Sequence, residues 1–359
     1  MKIGKFIKRC VGMVNVFFIA LMLLVAFSER LSPVTHPTLS LLGLTFPIFL
    51  LINLCFLLFW LIIAQWKYLT LPVIGFFLCW SQVRVTLPLN YFESDPPKEN
   101  LKLLSYNVMS FDGDKKVKGQ NDILNYLKDS HADIMCLQEF IVSSKSQYLT
   151  QKDVDAALSA YPYHHVNQGN PHLACYSKYP IVSVTPLQDK NQRSGSFAYE
   201  IVVGRDTMLV INSHLESNRL TEEDKATYED IIVAPETTKV KEGIRLFTQK
   251  LGEKAAARAP QADAVAKTVA ESRHPSIIVM GDFNDPPVSY PHYVISKHLK
   301  DTFAESGFGL GISYHLNHFY FRLDNIMISP NLQSYKCQVD NQIETSDHYP
   351  IYCFVAKKR

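Results

Sequence analysis

The chain has 359 residues, with 36 Lys and Arg against 34 Asp and Glu, giving a formal net charge of +2. That length accommodates one large domain plus an appendage, and the near-neutral balance argues against a strongly basic nucleic-acid binder, leaving open only a local groove. The seven cysteines show no CxxC spacing, so a zinc or thioredoxin-type centre has no support.

In chain order, roughly the first 85 residues are nearly all apolar and the charges gather after Glu93. Residues 11–27 form an apolar run broken only by Asn15, residues 41–64 a longer one free of charge, and residues 69–83 a shorter one carrying Pro72 and Gly75. A membrane helix needs about 20 apolar residues, which the second run exceeds, the first just reaches and the third meets marginally. Ala26-Phe27-Ser28-Glu29 offers no small-x-small cleavage pattern, so the first run reads as an anchor rather than a removable signal. Lys2, Lys5, Lys8 and Arg9 precede it and place the N-terminus on the cytoplasmic side, with Lys67 in a second cytoplasmic loop. Trp60, Trp66, Tyr68 and Trp80 stand near the run ends as interface anchors. The expectation is a membrane anchor over residues 1–90 with about three transmembrane helices. Three crossings put everything after Arg84 on the outer, periplasmic or extracellular side; a merely re-entrant third run would leave it cytoplasmic.

A linker over residues 91–100, with its Pro-Pro pair and charges, opens the second domain, residues 101–359. Strands are expected at 102–108, 133–138, 174–177, 181–185, 197–203, 208–213, 277–280, 322–328 and 349–355. A helix is expected at 120–130, with Ile123, Leu124 and Leu127 on one face. Residues 221–272 are polar and helix-prone and carry Lys239, Lys241, Arg245, Lys250, Lys254 and Arg258 among acids; a solvated surface helix is the expected reading. Cys136, Cys175, Cys337 and Cys353 lie in apolar strand-like stretches, where a free Cys behaves as a small hydrophobe. Many strands, few helices and one helical insertion suggest two packed sheets with helices outside.

The strands end in a recurring way. Residues 277–287 read IIVMGDFNDPP: a β-branched run ends in a glycine turn presenting Asp282 and Asn284, which as i and i+2 face one side. Asn107 follows LKLLSY, Glu139 follows DIMCLQ, His214 follows LVINS, Asp324 sits in FRLDNIMIS, and Asp347 and His348 stand in TSDHYPIYCFV. Each alone is explained as a turn former, a solvated strand end, a half-buried histidine or a surface ion pair of Asp324 with Arg322. Together they supply what metal-assisted phosphoryl hydrolysis requires: oxygen ligands for a hard cation, a base for water, and donors for developing charge.

With SYNV, CLQE, YSKYPI, INSHLES, GDFND, RLDNI and SDHYPI in register over roughly residues 101–355, the chain resembles the endonuclease/exonuclease/phosphatase superfamily. The resemblance implies an α/β fold, a four-layer α/β/β/α sandwich of the deoxyribonuclease I type, here preceded by the N-terminal transmembrane region. It implies a Mg²⁺ (or Mn²⁺) dependent phosphodiester hydrolase, of endonuclease/exonuclease type first. A sphingomyelinase-like head-group phosphodiesterase or a phosphatase comes next, and a non-catalytic binding module last. Its partners are then a nucleic-acid or phospholipid substrate and the bilayer, with no obligate protein partner. Residue by residue, Glu139 is implied as principal metal ligand with Asn107 and Asp347 adjoining. His348 is implied as acid or phosphate contact oriented by Asp324, Asp282 as aligning the water, Asn284 as holding a phosphate oxygen, and His214 as a second phosphate-facing group. Departures from the pattern are Asn325 after Asp324, and His172 and Cys175 before YSKYPI. Arg193 and Lys178 are candidate phosphate contacts.

Overall fold

Alternation along the strands decides the layering. In β1 (Leu101–Asn107) and β2 (Ile134–Gln138), Leu103, Ile134 and Cys136 enter one apolar cluster while Leu104, Tyr106, Met135 and Leu137 enter another. This is the two-faced consequence of a period of two. The structure, a computed structural model, describes residues 2–91, 94–112, 121–142, 149–188, 193–218, 238–316 and 319–358. The other strands are β3 (Tyr163–Val166), β4 (Leu173–Ser177), β5 (Ile181–Pro186), β6 (Gly195–Val203) and β7 (Asp206–His214). After them come β8 (Ile277–Asp282), β9 (Lys300–Asp301), β10 (Asp324–Ile328), β11 (Leu332–Val339) and β12 (Ile351–Lys357). They form two six-stranded sheets, ordered β11-β12-β1-β2-β4-β3 and β5-β6-β7-β8-β10-β9.

The inner faces meet in one cluster holding Val210, Ile278, Met280 and Ile326 from the second sheet and all four of Cys136, Cys175, Cys337 and Cys353. The cysteines are free and buried, small hydrophobes as expected. The outer face of the first sheet packs on the helix Asp122–Asp129, through Ile123, Leu124 and Leu127, and on the helix Gln151–Ala157. The outer face of the second packs on the long helix Thr238–Glu271 through Ala262, Val265 and Val269, and on Tyr290–Ile295. The domain is therefore a four-layer α/β/β/α sandwich.

Two parallel pairs, β1 with β2 and β7 with β8, bring four strand C-termini to one edge. Antiparallel pairing of β10 with β8, and of β12 with β1, turns the starts of β10 and β12 toward that same edge. Close approach of β7 and β8 needs Gly281: its φ is +146° and an added Cβ would lie 1.9 Å from the Ser213 carbonyl oxygen.

The apolar N-terminal part is helical: Lys2–Phe27, Phe46–Ile62, and Trp66–Leu78 followed by Trp80–Thr86. Two helices, Gly4–Arg30 and Pro37–Ile62, are long and apolar enough to cross a membrane, while the third run is a pair bent by 77°. These helices adhere to the sandwich. Gly43 lies so close to Val288 that a Cβ would stand 1.9 Å from its carbonyl oxygen, and Pro37 abuts Gly252. Arg322, buried, donates Nη2 to the Val85 carbonyl at 2.9 Å and pairs with Asp301 at 2.7 Å. The linker's Phe92 and Glu93 lie outside the described residues, as do 221–237 of the insertion.

Asp301 also caps the helix Thr302–Ser306, accepting from the Phe303 and Ala304 amides, and meets His292 Nε2 at 2.9 Å. Burial would raise its pKa, but Arg322 and His292 overcome that and hold the carboxyl well below the usual carboxylate range. A depressed folded pKa adds stability that is complete above the unfolded value, about 3.9, and is lost as pH falls toward the folded one. Asp301→Asn, which leaves the buried guanidinium unpaired, is expected to cost about 3–5 kcal/mol and to flatten the acid limb of the stability profile. Denaturant unfolding of the detergent-solubilised chain between pH 7 and pH 3 checks both.

Candidate active site

Asp282 ends β8 with 1% of its surface exposed, so its carboxylate must be satisfied by fixed donors. Oδ1 accepts the Asn284 amide N–H at 2.8 Å; Oδ2 accepts Asn284 Nδ2 at 3.2 Å and Asn107 Nδ2, from the end of β1, at 3.2 Å. Asn284 also donates Nδ2 to the Leu215 carbonyl at 3.0 Å. Both hydrogens of that amide are thus directed at protein oxygens, and it serves to orient Asp282 rather than being free for a phosphate oxygen. Asn107 Oδ1 accepts the Met109 amide at 3.1 Å.

His348 stands just ahead of β12, its amide donating to Ser346 Oγ, which itself donates to the Asn107 carbonyl at 2.7 Å. Its Nδ1 lies 2.7 Å from Asp324 Oδ2 and its Nε2 3.6 Å from Asp282 Oδ2. Asp324 opens β10 directly opposite Asp282, and its amide and that of Leu323 both donate to Ser313 Oγ at 3.0 Å. Burial alone would lower the His348 pKa, but Asp324, Asp282 and Asp347 outweigh it and raise it to about 10. Burial raises the Asp324 carboxyl, with His348 pulling the other way. Asp282, Asp324 and His348 lie within 4.8 Å of one another, a spacing a metal could use. Asp324 already hydrogen-bonds His348 Nδ1, while Nε2 faces Asp282 at ion-pair distance, so the cluster resembles a carboxylate–imidazole–carboxylate array more than an open metal site.

Glu139 follows β2 at a positive φ of 52° and leaves its carboxylate 39% exposed. His214, ending β7, places Nε2 3.7 Å from Glu139 and 3.8 Å from Asp282. That nitrogen is buried and has no hydrogen-bond partner among the described residues. Asp347 is half-buried. Glu139, Asp282, Asn284, Asp347 and His348 line one cavity of about 410 Å³. Glu139 and His214 also line a second cleft with Asn170, His172 and Arg193. All eight sequence-derived positions therefore converge, from both sheets, on one edge.

Other expectations change. Lys178 pairs with Asp133 at 3.1 Å and donates to the His131 carbonyl. It lies at the opposite end of β2 from Glu139, about 20 Å away, and is no phosphate contact. Arg322 pairs with Asp301 rather than with Asp324. The insertion helix is more than a solvated surface: Arg258 is 1% exposed. It forms an ion pair with Asp285 and donates to the Glu216 carbonyl and Asn218 Oδ1. Its spacing from Ala255 and Ala262 placed it on the apolar stripe, a signal outweighed by the surrounding charge. Lys239 and Lys241 lie outside the described side chains. Asn325 is fully buried, donating to the Leu323 carbonyl at 2.9 Å. Unanticipated was the polar bridge between the sheets, Gln138 Nε2 to Asn212 Oδ1 at 2.8 Å, one residue before Glu139.

A family model described as the endonuclease/exonuclease/phosphatase family matches residues 104–348, and one described as a domain of unknown function matches residues 8–86. No curated protein matches the chain in sequence. Among solved structures, an endonuclease/exonuclease/phosphatase from Beutenbergia cavernae is 16% identical, with 72% of each chain covered and a TM-score of 0.49. D. rerio TDP2 complexed with single-strand DNA product is 13% identical, over 72% of this chain and 100% of that one, TM-score 0.49. An endonuclease/exonuclease/phosphatase from Bacteroides vulgatus is 14% identical, over 73% and 100%, TM-score 0.45.

If Asp324 holds the imidazolium, Asp324→Asn should let the His348 pKa fall toward the ordinary value of about 6.5 with the fold unchanged. Imidazole nitrogen shifts followed by NMR across pH 5–11 read this directly, and an unmoved titration would remove Asp324 from the array.

Proposed function

Because the chain belongs to the endonuclease/exonuclease/phosphatase family, we propose that it is a membrane-anchored, divalent-metal-dependent hydrolase of phosphodiester bonds. The observation that carries the reading is the Asp324–His348–Asp282 chain beside the exposed Glu139 carboxylate. Glu139 and Asp347, with Asn107 adjoining, form an oxygen donor set that fits Mg²⁺ or Mn²⁺. The unpartnered His214 Nε2, buried between Glu139 and Asp282, supports a further occupant there. A bound ion would neutralise phosphate charge and stabilise the leaving oxygen.

The side chains supply the rest. Asp282, fixed by Asn107 and Asn284, aligns a water and draws off its proton as the oxygen bonds to phosphorus. One ester P–O bond breaks and the departing oxygen takes a proton from solvent, to which Asp282 in turn releases the one it drew from the water. His348, kept cationic by Asp324, faces the phosphate and stabilises its growing charge. His214 serves as a second phosphate-facing group. No covalent enzyme intermediate is needed, and the completeness of this set argues against a non-catalytic module.

The anchor reading draws support from helix registry. Gly12 meets the Tyr68 ring, Gly75 meets Ile19, and Gln82 Nε2 donates to Glu29 Oε1 at 2.6 Å. The third run thus climbs beside the first helix in the same direction, over a rise of about 26 Å. The helix Phe46–Ile62 returns alongside both, joined to the first by Trp60 Nε1 to Asn15 Oδ1 at 3.1 Å and Asn15 Nδ2 to Asn53 Oδ1 at 3.3 Å. Polar interhelical bonds of this kind hold helices together in lipid. An up-down-up course, bent at its outer end, supports the reading that the N-terminus and the sandwich lie on opposite sides, with the sandwich outside.

Full-length protein in detergent is expected to hydrolyse bis(4-nitrophenyl) phosphate with Mg²⁺ and to stop with chelator. Glu139→Gln and His348→Ala should each lower kcat/KM by about 10²–10⁴ with unchanged circular dichroism; full activity in either would refute its role. In sealed vesicles of defined orientation, protease should reach an N-terminal tag and the sandwich from opposite sides.

A further inference from the structure

We propose, building on the phosphodiesterase reading above, that the substrate is an amphiphile. Its phosphoester lies at Glu139, Asp282 and His348, and its alkyl chain lies along an apolar wall contributed partly by the N-terminal helices. The cavity that reaches His348 combines polar residues, Ser217, Asn218, Arg258 and Asp285 besides those of the array, with a larger apolar set. That set includes Phe247 and Leu251 of the insertion helix, Phe319 and Phe321 of the loop before β10, and Leu41 and Leu44. The last two lie outside the sandwich, in the turn Leu41–Thr45 that leads into the helix Phe46–Ile62.

That turn is positioned twice over. Gly43 is pressed against the Val288 backbone with no room for a side chain, and the preceding Pro37 rests on Gly252 of the insertion helix. It also sits at the depth where a bilayer begins. The helix Phe46–Ile62 has 17 residues, a length of about 26 Å, close to the hydrocarbon thickness of about 30 Å. Leu44, two residues before Phe46, is then at the hydrocarbon boundary, and the cavity joins that boundary to the acid–base array. A chain of methylenes leaving the bilayer would find Leu41, Leu44, Phe247 and Leu251 in the same cavity as the phosphate site. The second cleft, about 430 Å³, adds Asn170, His172 and Arg193, with Ile141, beside Glu139 and His214, and its polar groups would meet a head-group moiety. The His172 Nδ1 there is buried without a hydrogen-bond partner among the described residues. A nucleic-acid strand would need cations tracking its backbone. Of the cavity's basic side chains among the described residues, Arg258 is committed to Asp285, Glu216 and Asn218 and His348 belongs to the array.

The test is a homologous series of 4-nitrophenyl alkyl phosphates (methyl, butyl and octyl), each below its micellar concentration. They are offered with Mg²⁺ to the full-length chain in nanodiscs, beside plasmid DNA. Burial of successive methylenes predicts that kcat/KM rises at least about 100-fold from methyl to octyl. A Leu41→Ser, Leu44→Ser double variant should reduce the octyl-to-methyl ratio at least tenfold. The Leu41→Met, Leu44→Met variant, which keeps the apolar volume, should preserve the ratio and guards against misfolding. A flat series with robust methyl-ester turnover, or DNA cleaved faster than the octyl ester, would overturn the inference and leave the phosphodiesterase standing. Failure to hydrolyse every ester, the methyl one included, would overturn the phosphodiesterase reading itself.

Discussion

The Asp282 carboxylate is the constraint around which the site is built. A buried charge of this kind is tolerable only when donors are held on it in advance, and its donors and neighbours come from β1, the turn after β8, β7 and the approach to β12. No single sheet holds all of these. Asn107 and His348 belong to one sheet while Asp282, His214 and Asp324 belong to the other. The face-to-face sandwich, sealed by the apolar layer and the Gln138–Asn212 bridge, is therefore what permits the carboxylate at all. The same registry that pairs His214 with Asp282 and Asp324 with Asp282 fixes these three residues relative to one another.

Much of this was legible in the chain because the relevant strands are strongly apolar and end abruptly in polar residues. LKLLSYN, IMCLQE and IIVMGD announce both a buried strand and the polar residue at its end. Edge strands were harder to see. β3 and β11 carry polar residues such as His164, Gln333 and Lys336 on their solvated faces, which breaks the apolar run that marks a central strand. The helix Gln151–Ala157 escaped although Thr150 and Asp153 form a capping box at its start, a local signal too short to outweigh a polar stretch.

Within the apolar N-terminal part, hydropathy could count residues but could not say what they face. Residues 41–64 read as one run, whereas only Phe46–Ile62 is a continuous α-helix and Leu41–Thr45 is a 3₁₀ turn applied to the sandwich. Lipid and a protein wall are equally apolar, so Leu41 and Leu44 carry no sequence mark distinguishing them from Leu51 or Leu58. Arg258 shows the converse: a charge read as solvated because its neighbours are charged, yet placed by helical spacing on the buried stripe.

The contacts between the N-terminal helices and the sandwich are of the wrong kind for a tether. A tether needs length and freedom, whereas here backbone meets backbone at Gly43 and Val288, and a buried guanidinium spends a hydrogen bond on the Val85 carbonyl. Arg322 is two residues from Asp324, and the intervening Leu323 amide shares Ser313 Oγ with the Asp324 amide. The end of the last N-terminal helix is thus joined to the His348 partner by one side chain and two residues of fixed backbone. Because packed and hydrogen-bonded interiors deform little, moving that helix would cost either the Arg322–Asp301 pair or the position of Asp324. The turn Leu41–Thr45 and the Asp324–His348 pair are thus both held against the same sandwich, the one through Gly43 and Val288, the other through the strand that Arg322 precedes.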